Sequence, residues 1–266
     1  MKNWFKILRD SLSVTAVKTM SVDGSERLHV HRQVIANKPI LHRAMHDIHR
    51  KMISLASNPE TGAGKKIELG AGVCPLKLHD PDILSSDIVP CEENDLVLDA
   101  TNLKLASSSV SYIFCQNSFH HFPDPQRFFE ECDRVLTIKG RVIILDPYYG
   151  KLAAFLFKRL FNNEKFDKSG EWNQIGNGPM SNANQALSYI VFRRDRNKFE
   201  KLNPNLKIVL EFPSGTHLSY LLSGGLNFTQ IVPNCFIGLV FFIEGLVQPL
   251  NKLISIHHFI VIEKVK

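Results

Sequence analysis

The stretch KKIELGAGVCPLKL, Lys65 to Leu78, carries an acid, Glu68, two residues before Gly70, with Gly72 close behind. A short apolar run ending in glycines is how a strand turns sharply at its carboxyl end, where glycine permits unusual dihedrals and close approach of a ligand. A dinucleotide fingerprint, G-x-G-x-x-G, requires a third glycine at position 75, but Pro75 stands there, preceded by Cys74. Charge separates the ligands further. A carboxylate at Glu68 repels a pyrophosphate and suits a cation, which it can hold directly or through water by a charge-assisted hydrogen bond. S-adenosylmethionine meets these conditions: it has an adenosine, no phosphate, and two positive groups, an α-ammonium and a sulfonium. The alternative role for Glu68 is that of a capping or salt-bridged acid.

A second group of reactive side chains lies further on: His120, His121, Asp146, Tyr148 and Tyr149. Either histidine could take a hydroxyl proton near neutral pH, or the pair could instead pack over an adenosine or cap its loop. His42, His46 and His49 are spaced to share one helix face. With no acid or cysteine partner identified, they read as a solvated or interface stripe, and no metal is expected. Cys74, Cys91, Cys115, Cys132 and Cys235 are odd in number and widely spaced, without a CxxC pair, which argues against a disulfide frame and fits a reducing cytosol.

These residues must be positioned by regular elements. Residues 1–60 read as a helical N-terminal extension, since MKNWFKILRDSL and KPILHRAMHDIHRKMISLA repeat apolar residues at three- and four-residue spacing. From Lys65 the texture becomes that of alternating β and α units. Strands are expected near 66–70, 83–88, 95–99, 111–116 and 141–146, with a helix over DPQRFFEECDRVL and a stop at TIKGR. In that helix Phe128, Phe129, Cys132, Val135 and Leu136 share a face, and Glu130, Glu131 and Asp133 point elsewhere. After a polar segment at 162–185, ANQALSYIVFRRDRNKF reads as helical, and NLKIVLEF and HHFIVIEKV as two final strands.

Over residues 60–150 the chain resembles the class I S-adenosylmethionine-dependent methyltransferases, especially their ubiquinone/menaquinone-methyltransferase-like branch. The resemblance rests on IELGAG, SSD ending at Asp87, LDATNLKL with Asp99, IFCQNSFHHFPDP and RVLTIKGRVIILDP, in order and at suitable spacing. It implies an α/β, Rossmann-like, seven-stranded, mostly parallel sheet with the last strand antiparallel. It also implies that Glu68, Gly70, Ala71 and Gly72 hold the methionine end, that Asp87 binds both ribose hydroxyls, and that Asp99 with Ala100 reaches the adenine. Gln116 and Asn117 would line the methyl side, and His120, His121, Asp146 and Tyr148 would be the catalytic candidates. Asp87 and Asp99 could otherwise be ordinary strand-end turn residues. The chain departs from the family pattern at Cys74, where many members keep a small residue, and at Ser111, where an acid often opens the fourth strand.

With 266 residues, 44% of them hydrophobic, the chain is long enough for one methyltransferase domain at 61–266 after the helical extension. Its net charge of +6 comes from scattered basic residues, densest in FRRDRNK, and no nucleic-acid motif accompanies them. The N-terminus lacks the uninterrupted apolar core of a signal peptide. Residues 148–200 and 219–254 are expected as substrate-side cap and insert; Ile231 to Leu250 is the most apolar part and near the ~20-residue length of a membrane span, but Glu244, Gln248 and Pro249 interrupt it. A true span would strand the final strand across the bilayer. Two readings stay open: a buried cap over the acceptor, or an in-plane element touching the inner face of the membrane. Either favours a small apolar or lipid-linked acceptor, such as a quinone precursor or a polyprenyl-linked or cell-surface glycan intermediate, with Tyr148, Tyr149 and Trp172 lining its pocket. The alternatives are a non-catalytic methyltransferase-like scaffold at a membrane or partner surface and, disfavoured by Pro75 and Glu68, an NAD-type oxidoreductase.

Overall fold

A computed structural model describes residues 7, 9–15, 26–161, 164–173, 183–215 and 218–266. Most of the expected N-terminal helix and part of the 162–185 segment lie outside these residues. Two helices, α1 (Glu26–Ala36) and α2 (Pro39–Ala56), precede the sheet. Pro39 opens α2, where a missing N–H costs nothing.

The strands are β1 (Lys65–Leu69), β2 (Ile83–Asp87), β3 (Leu96–Val97), β4 (Val110–Gln116), β5 (Leu136–Pro147), β6 (Leu206–Pro213) and β7 (His257–Lys264). They form one sheet in the order β3-β2-β1-β4-β5-β7-β6, and β7 runs antiparallel to both of its neighbours. This is the expected seven-stranded, mostly parallel fold. Both faces of the central strands β1, β4, β5 and β7 are largely buried, so alternate residues feed opposite cores, while the edge strands β3 and β6 are partly exposed. Val142, Ile144, Ile260 and Ile262 enter one core with Ile67, Ile113 and Cys115. Ile143, Leu145, Phe259 and Val261 enter the other, where Leu41, Ile48 and Met52 of α2 cover the sheet.

Helix α3 (Pro125–Val135) connects β4 to β5, and its start is capped by Asp124, which accepts from the Arg127 N–H at 3.0 Å. Phe128, Phe129, Cys132, Val135 and Leu136 are all fully buried, as their shared face requires. Glu131 departs from the expectation. It is 5% exposed, accepting from the Leu103 N–H at 2.8 Å and from Arg134, so a buried carboxylate ties the segment after β3 to α3. TIKGR also differs: β5 begins at Leu136, and these residues form a register shift between the Val110–Leu136 and Tyr112–Arg141 pairs.

Beyond β5 come α4 (Lys151–Arg159), a helical turn at Leu187–Tyr189 that widens into a π-helix at Ile190–Arg194, and α5 (Arg196–Leu202). The expected helix at 183–199 is therefore interrupted, which lets Ile190, Val191, Phe192 and Phe199 all reach the core.

Residues 214–256 form an excursion between β6 and β7, containing α6 (Leu218–Ser223), α7 (Ile237–Leu246) and α8 (Asn251–Ile254). Its base is closed: the Ser214 N–H donates to the His257 carbonyl at 2.9 Å, and the Ser255 hydroxyl bonds to the Ser214 carbonyl. Within α7 only Val240 and Glu244 are buried. No single helix among the described residues is long and apolar enough to cross a membrane; Asn234–Leu246 and Gln248–Ile254 pass that test only as a pair bent by 57°.

Candidate active site

β1 ends at Leu69, and the chain turns through Gly70 at φ 71° and Gly72 at φ 55°. The glycines serve different ends. A Cβ on Gly70 would lie 2.4 Å from the Cβ of Ser118, so this glycine lets the end of β4 close on β1, where the Ser118 hydroxyl donates to the Leu69 carbonyl at 2.8 Å. A Cβ on Gly72 would meet nothing within 4 Å; its missing side chain faces open space, as close ligand approach requires.

Asp87, at the end of β2, holds this turn. Its Oδ2 accepts from the Gly72 N–H at 3.1 Å and its Oδ1 from the Val89 N–H at 3.0 Å. Asn94 reaches the Gly72 carbonyl from the other side at 3.3 Å. Ala71 completes the turn by donating to the Ser86 carbonyl at 2.9 Å.

Glu68 is 1% exposed, and its Oε2 accepts from the Leu76 N–H at 2.7 Å, capping the helical turn Leu76–Leu78. The capping role is thus real. Burial pushes its carboxyl up to about 8, against the pull of that hydrogen bond, and the charge of Asp87 pushes the same way. A carboxylate so deprived of water is stabilised in its charged form by a cation nearby. Cys74, unexplained by its position in the motif, packs against the α2 core, and burial raises its thiol to about 11.

Asp99 follows β3 and is exposed; its Oδ1 accepts from the Thr101 N–H at 2.8 Å and the Thr101 hydroxyl at 2.7 Å, a local turn. Ala100 is buried in the sheet's core. At the end of β4, Asn117 takes φ 51° and donates its N–H to the Leu145 carbonyl at 2.8 Å. Among the described residues the buried Gln116 Oε1 and Asn117 Oδ1 atoms have no hydrogen-bond partner, while the Gln116 amide nitrogen sits 3.6 Å from the Met45 sulfur. Two orphaned buried acceptors beside an opened glycine turn suit a ligand that brings donors or positive charge. The residues therefore fit S-adenosylmethionine, and they converge at the carboxyl ends of four adjacent strands.

A second cluster forms after β4 and β5. His120 Nδ1 lies 2.7 Å from Asp146 Oδ1, and His120 Nε2 lies 3.2 Å from Glu164 Oε2. His121 stacks on His120 with ring centroids 4.1 Å apart, and its Nε2 is 4.0 Å from Glu164 Oε1. Burial pushes the His120 imidazolium down, but the two carboxylates outweigh it and lift its pKa to about 10. Burial likewise raises Glu164, and the hydrogen bond and charge of His120 overcome it, holding Glu164 at about 2. The two carboxylates thus favour the charged form of His120.

Glu164 was not singled out by sequence reasoning, because it sits in a polar segment without periodicity and is distant in sequence from His120. It is placed by two backbone bonds: the Asn184 N–H donates to the His120 carbonyl at 3.1 Å and the Gln185 N–H to the Lys165 carbonyl at 2.8 Å.

Tyr148 packs into an apolar cluster with Ala153, Phe157 and Ile256, and burial raises its phenol. Tyr149 bonds to Glu211 at 3.2 Å. Trp172 is 3% exposed in the main core, with its indole N–H on Asp195 at 2.9 Å. The histidine stripe of α2 is not a solvated face throughout. His42 is exposed, but His49 is fully buried, and His46 and His49 both meet His79, with ring centroids 4.8 and 4.9 Å away.

Residues 44–144 match the family model described as a methyltransferase domain. No curated protein matches the sequence significantly. Among solved structures, the chain is similar to geranyl diphosphate C-methyltransferase from Streptomyces coelicolor A3(2), in complex with Mg2+, geranyl diphosphate and S-adenosyl-L-homocysteine. That match has 13% identity and a TM-score of 0.50, covering 92% of this chain and 88% of the other. An S-adenosylmethionine-dependent methyltransferase from Mesorhizobium loti matches at 11% identity and a TM-score of 0.45, over 81% and 96% of the two chains. The matched residues contain the glycine turn, the strand-end acids Asp87 and Asp99, and β1 to β4 with most of β5, and it is over these residues that the chain is similar to a methyltransferase domain.

Proposed function

We propose that the protein transfers a methyl group from S-adenosylmethionine to a small apolar or lipid-linked acceptor, of the quinone-precursor or polyprenyl-linked kind, at a membrane surface. The carrying observation is the excursion between β6 and β7. It exposes Leu239, Phe242, Leu246 and Leu253 at 52, 64, 65 and 58%. Several large apolar side chains exposed on one short excursion suit a surface that meets lipid or a partner. Arg43 of α2 lies 4.1 Å over the Phe241 ring, and exposed Lys252 follows α7, so two cations accompany the apolar residues. The excursion is rooted beside the second cluster: Tyr220 of α6 packs edge-on to His257 at 5.0 Å, and the next residue, His258, pairs with Asp146 across β5 and β7.

In this reading Asp87 takes the ribose hydroxyls, Asp99 and Ala100 face the adenine, and Glu68 with Gly70, Ala71 and Gly72 holds the methionine end. Gln116 and Asn117 offer their unpartnered oxygens beside the methyl. S-adenosylmethionine supplies an electrophilic methyl with a good leaving group. Positioning therefore contributes much of the rate, and a base is needed only where the acceptor must lose a proton.

The test is incubation of the protein with methyl-labelled S-adenosylmethionine and membrane extract. Label in the organic-soluble fraction is expected. Label confined to water-soluble molecules would overturn the acceptor class, and cofactor binding without any transfer would favour the non-catalytic scaffold.

A further inference from the structure

We propose that His120, His121 and Glu164 bind a divalent transition metal of the zinc type, with Asp146 as the outer carboxylate that orients His120. The metal's part in activating an acceptor rests on the methyl-transfer reading; its binding does not.

Geometry comes first. One nitrogen from each histidine and one Glu164 oxygen lie within 4.8 Å of one another. Ligand atoms about 2.0–2.2 Å from a tetrahedral zinc are themselves roughly 3.3 Å apart. The His120 Nε2 to Glu164 Oε2 separation is already 3.2 Å, and the His121 Nε2 to Glu164 Oε1 separation is 4.0 Å. His121 and Glu164 are only partly buried, so small side-chain rotations can close the rest.

The surroundings are those of a metal ligand set. A metal-bound histidine typically donates its other ring N–H to a carboxylate, which fixes the tautomer and aims the free nitrogen. Asp146 Oδ1, 2.7 Å from His120 Nδ1, does this and directs Nε2 at Glu164. Gln185 in turn donates to Glu164 Oε2 at 3.0 Å and steadies that carboxylate. Asp146 Oδ2 is buried with no hydrogen-bond partner among the described residues.

Charge points the same way. Two carboxylates, Asp146 and Glu164, converge on the two nitrogens of one imidazole. A dication held there by neutral imidazoles would balance both acids. Three protein ligands leave a coordination position open to an acceptor hydroxyl or thiol, whose acidity a bound dication raises.

The test is calorimetric titration of the chelator-stripped full chain with Zn2+, repeated with Co2+ to read tetrahedral absorption bands. One ion per chain is expected. Glu164→Gln and Asp146→Asn should each weaken binding by about 10- to 100-fold, and His79→Gln, in the other histidine cluster, should leave it unchanged. S-adenosylhomocysteine binding and melting curves on the same samples show whether each variant is folded. No saturable Zn2+ binding by the parent chain, or binding that His79→Gln removes and Glu164→Gln does not, overturns the proposal. Zn2+ binding without S-adenosylhomocysteine binding would retain the metal site and sink the cofactor assignments instead.

Discussion

His120 is held between Asp146, 2.7 Å from its Nδ1, and Glu164, 3.2 Å from its Nε2, so one buried imidazolium bridges acids delivered by two separate parts of the chain. Removing one partner of such a buried pair costs more than its net contribution, because the other charge is left without compensation. Asp146→Asn is expected to destabilise the protein by about 3 kcal/mol. Denaturant melts in the presence of a chelator measure this apart from any metal; an unchanged midpoint would show that the pair contributes nothing to stability.

The two turn glycines should behave differently. Gly70→Ala drives a Cβ to 2.4 Å from Ser118 and strains a residue at φ 71°, so a large loss of stability is expected. Gly72→Ala meets open space and carries only the left-handed backbone cost of about 1–2 kcal/mol. That variant should fold yet bind S-adenosylhomocysteine poorly, which melting curves and calorimetry on one sample can separate.

Asp87→Ala is expected to weaken S-adenosylhomocysteine binding by more than tenfold, through loss of charge-assisted bonds of about 1.5–3 kcal/mol each. It also strips the Gly72 and Val89 N–H groups of their acceptor. Asp87→Asn keeps one oxygen and should fall between the two, as isothermal titration would show.

Glu68 gives a pH prediction. Burial raises its folded pKa to about 8, so the native state holds this proton more tightly than the unfolded chain. Its contribution is full below the ordinary carboxylate range and is lost as pH rises through about 8, with a slope of up to about 1.4 kcal/mol per pH unit. Glu68→Gln should flatten stability over that window. Binding of the cationic methionine end should release a proton near pH 7, measurable as a buffer-dependent heat; equal heats in buffers of different ionisation enthalpy would contradict a cation at this acid.

Phe242 and Leu246 are 64 and 65% exposed, so Phe242→Glu with Leu246→Glu should change stability by no more than about 0.5 kcal/mol per site. Co-sedimentation with anionic vesicles should be lost. Retained sedimentation would place the membrane contact elsewhere or remove it.

Much of the fold was legible because strand burial and helix amphipathicity are local patterns. IELGAG, SSD and the RVIILD run each announce a strand, and the Phe128, Phe129, Cys132 spacing announces the helix between β4 and β5. That Gly70, Gly72, Asp87, Gln116 and Asn117 stand at strand ends was likewise readable, because a turn at a strand's end needs particular residue types. What each does to its neighbours was not. Only the packed sheet shows that Gly70 makes room for Ser118 while Gly72 opens to free space, or that Glu68 caps the Leu76 turn from a dry interior.

Glu164 marks the limit. Nothing in its own neighbourhood distinguishes it from any polar loop acid, and its role comes from a backbone pairing of Lys165 and Asn184 that sets it against His120. The α7 segment is the reverse case: its composition reads equally as buried cap or surface element, since hydrophobicity is a property of residues and burial a property of what surrounds them. Residue types and spacing determined the parallel sheet and the ligand chemistry at its strand ends, because both follow from local periodicity and charge. Tertiary structure decided which acids share a histidine and which apolar face meets the solvent, because those depend on distances between segments far apart in the chain.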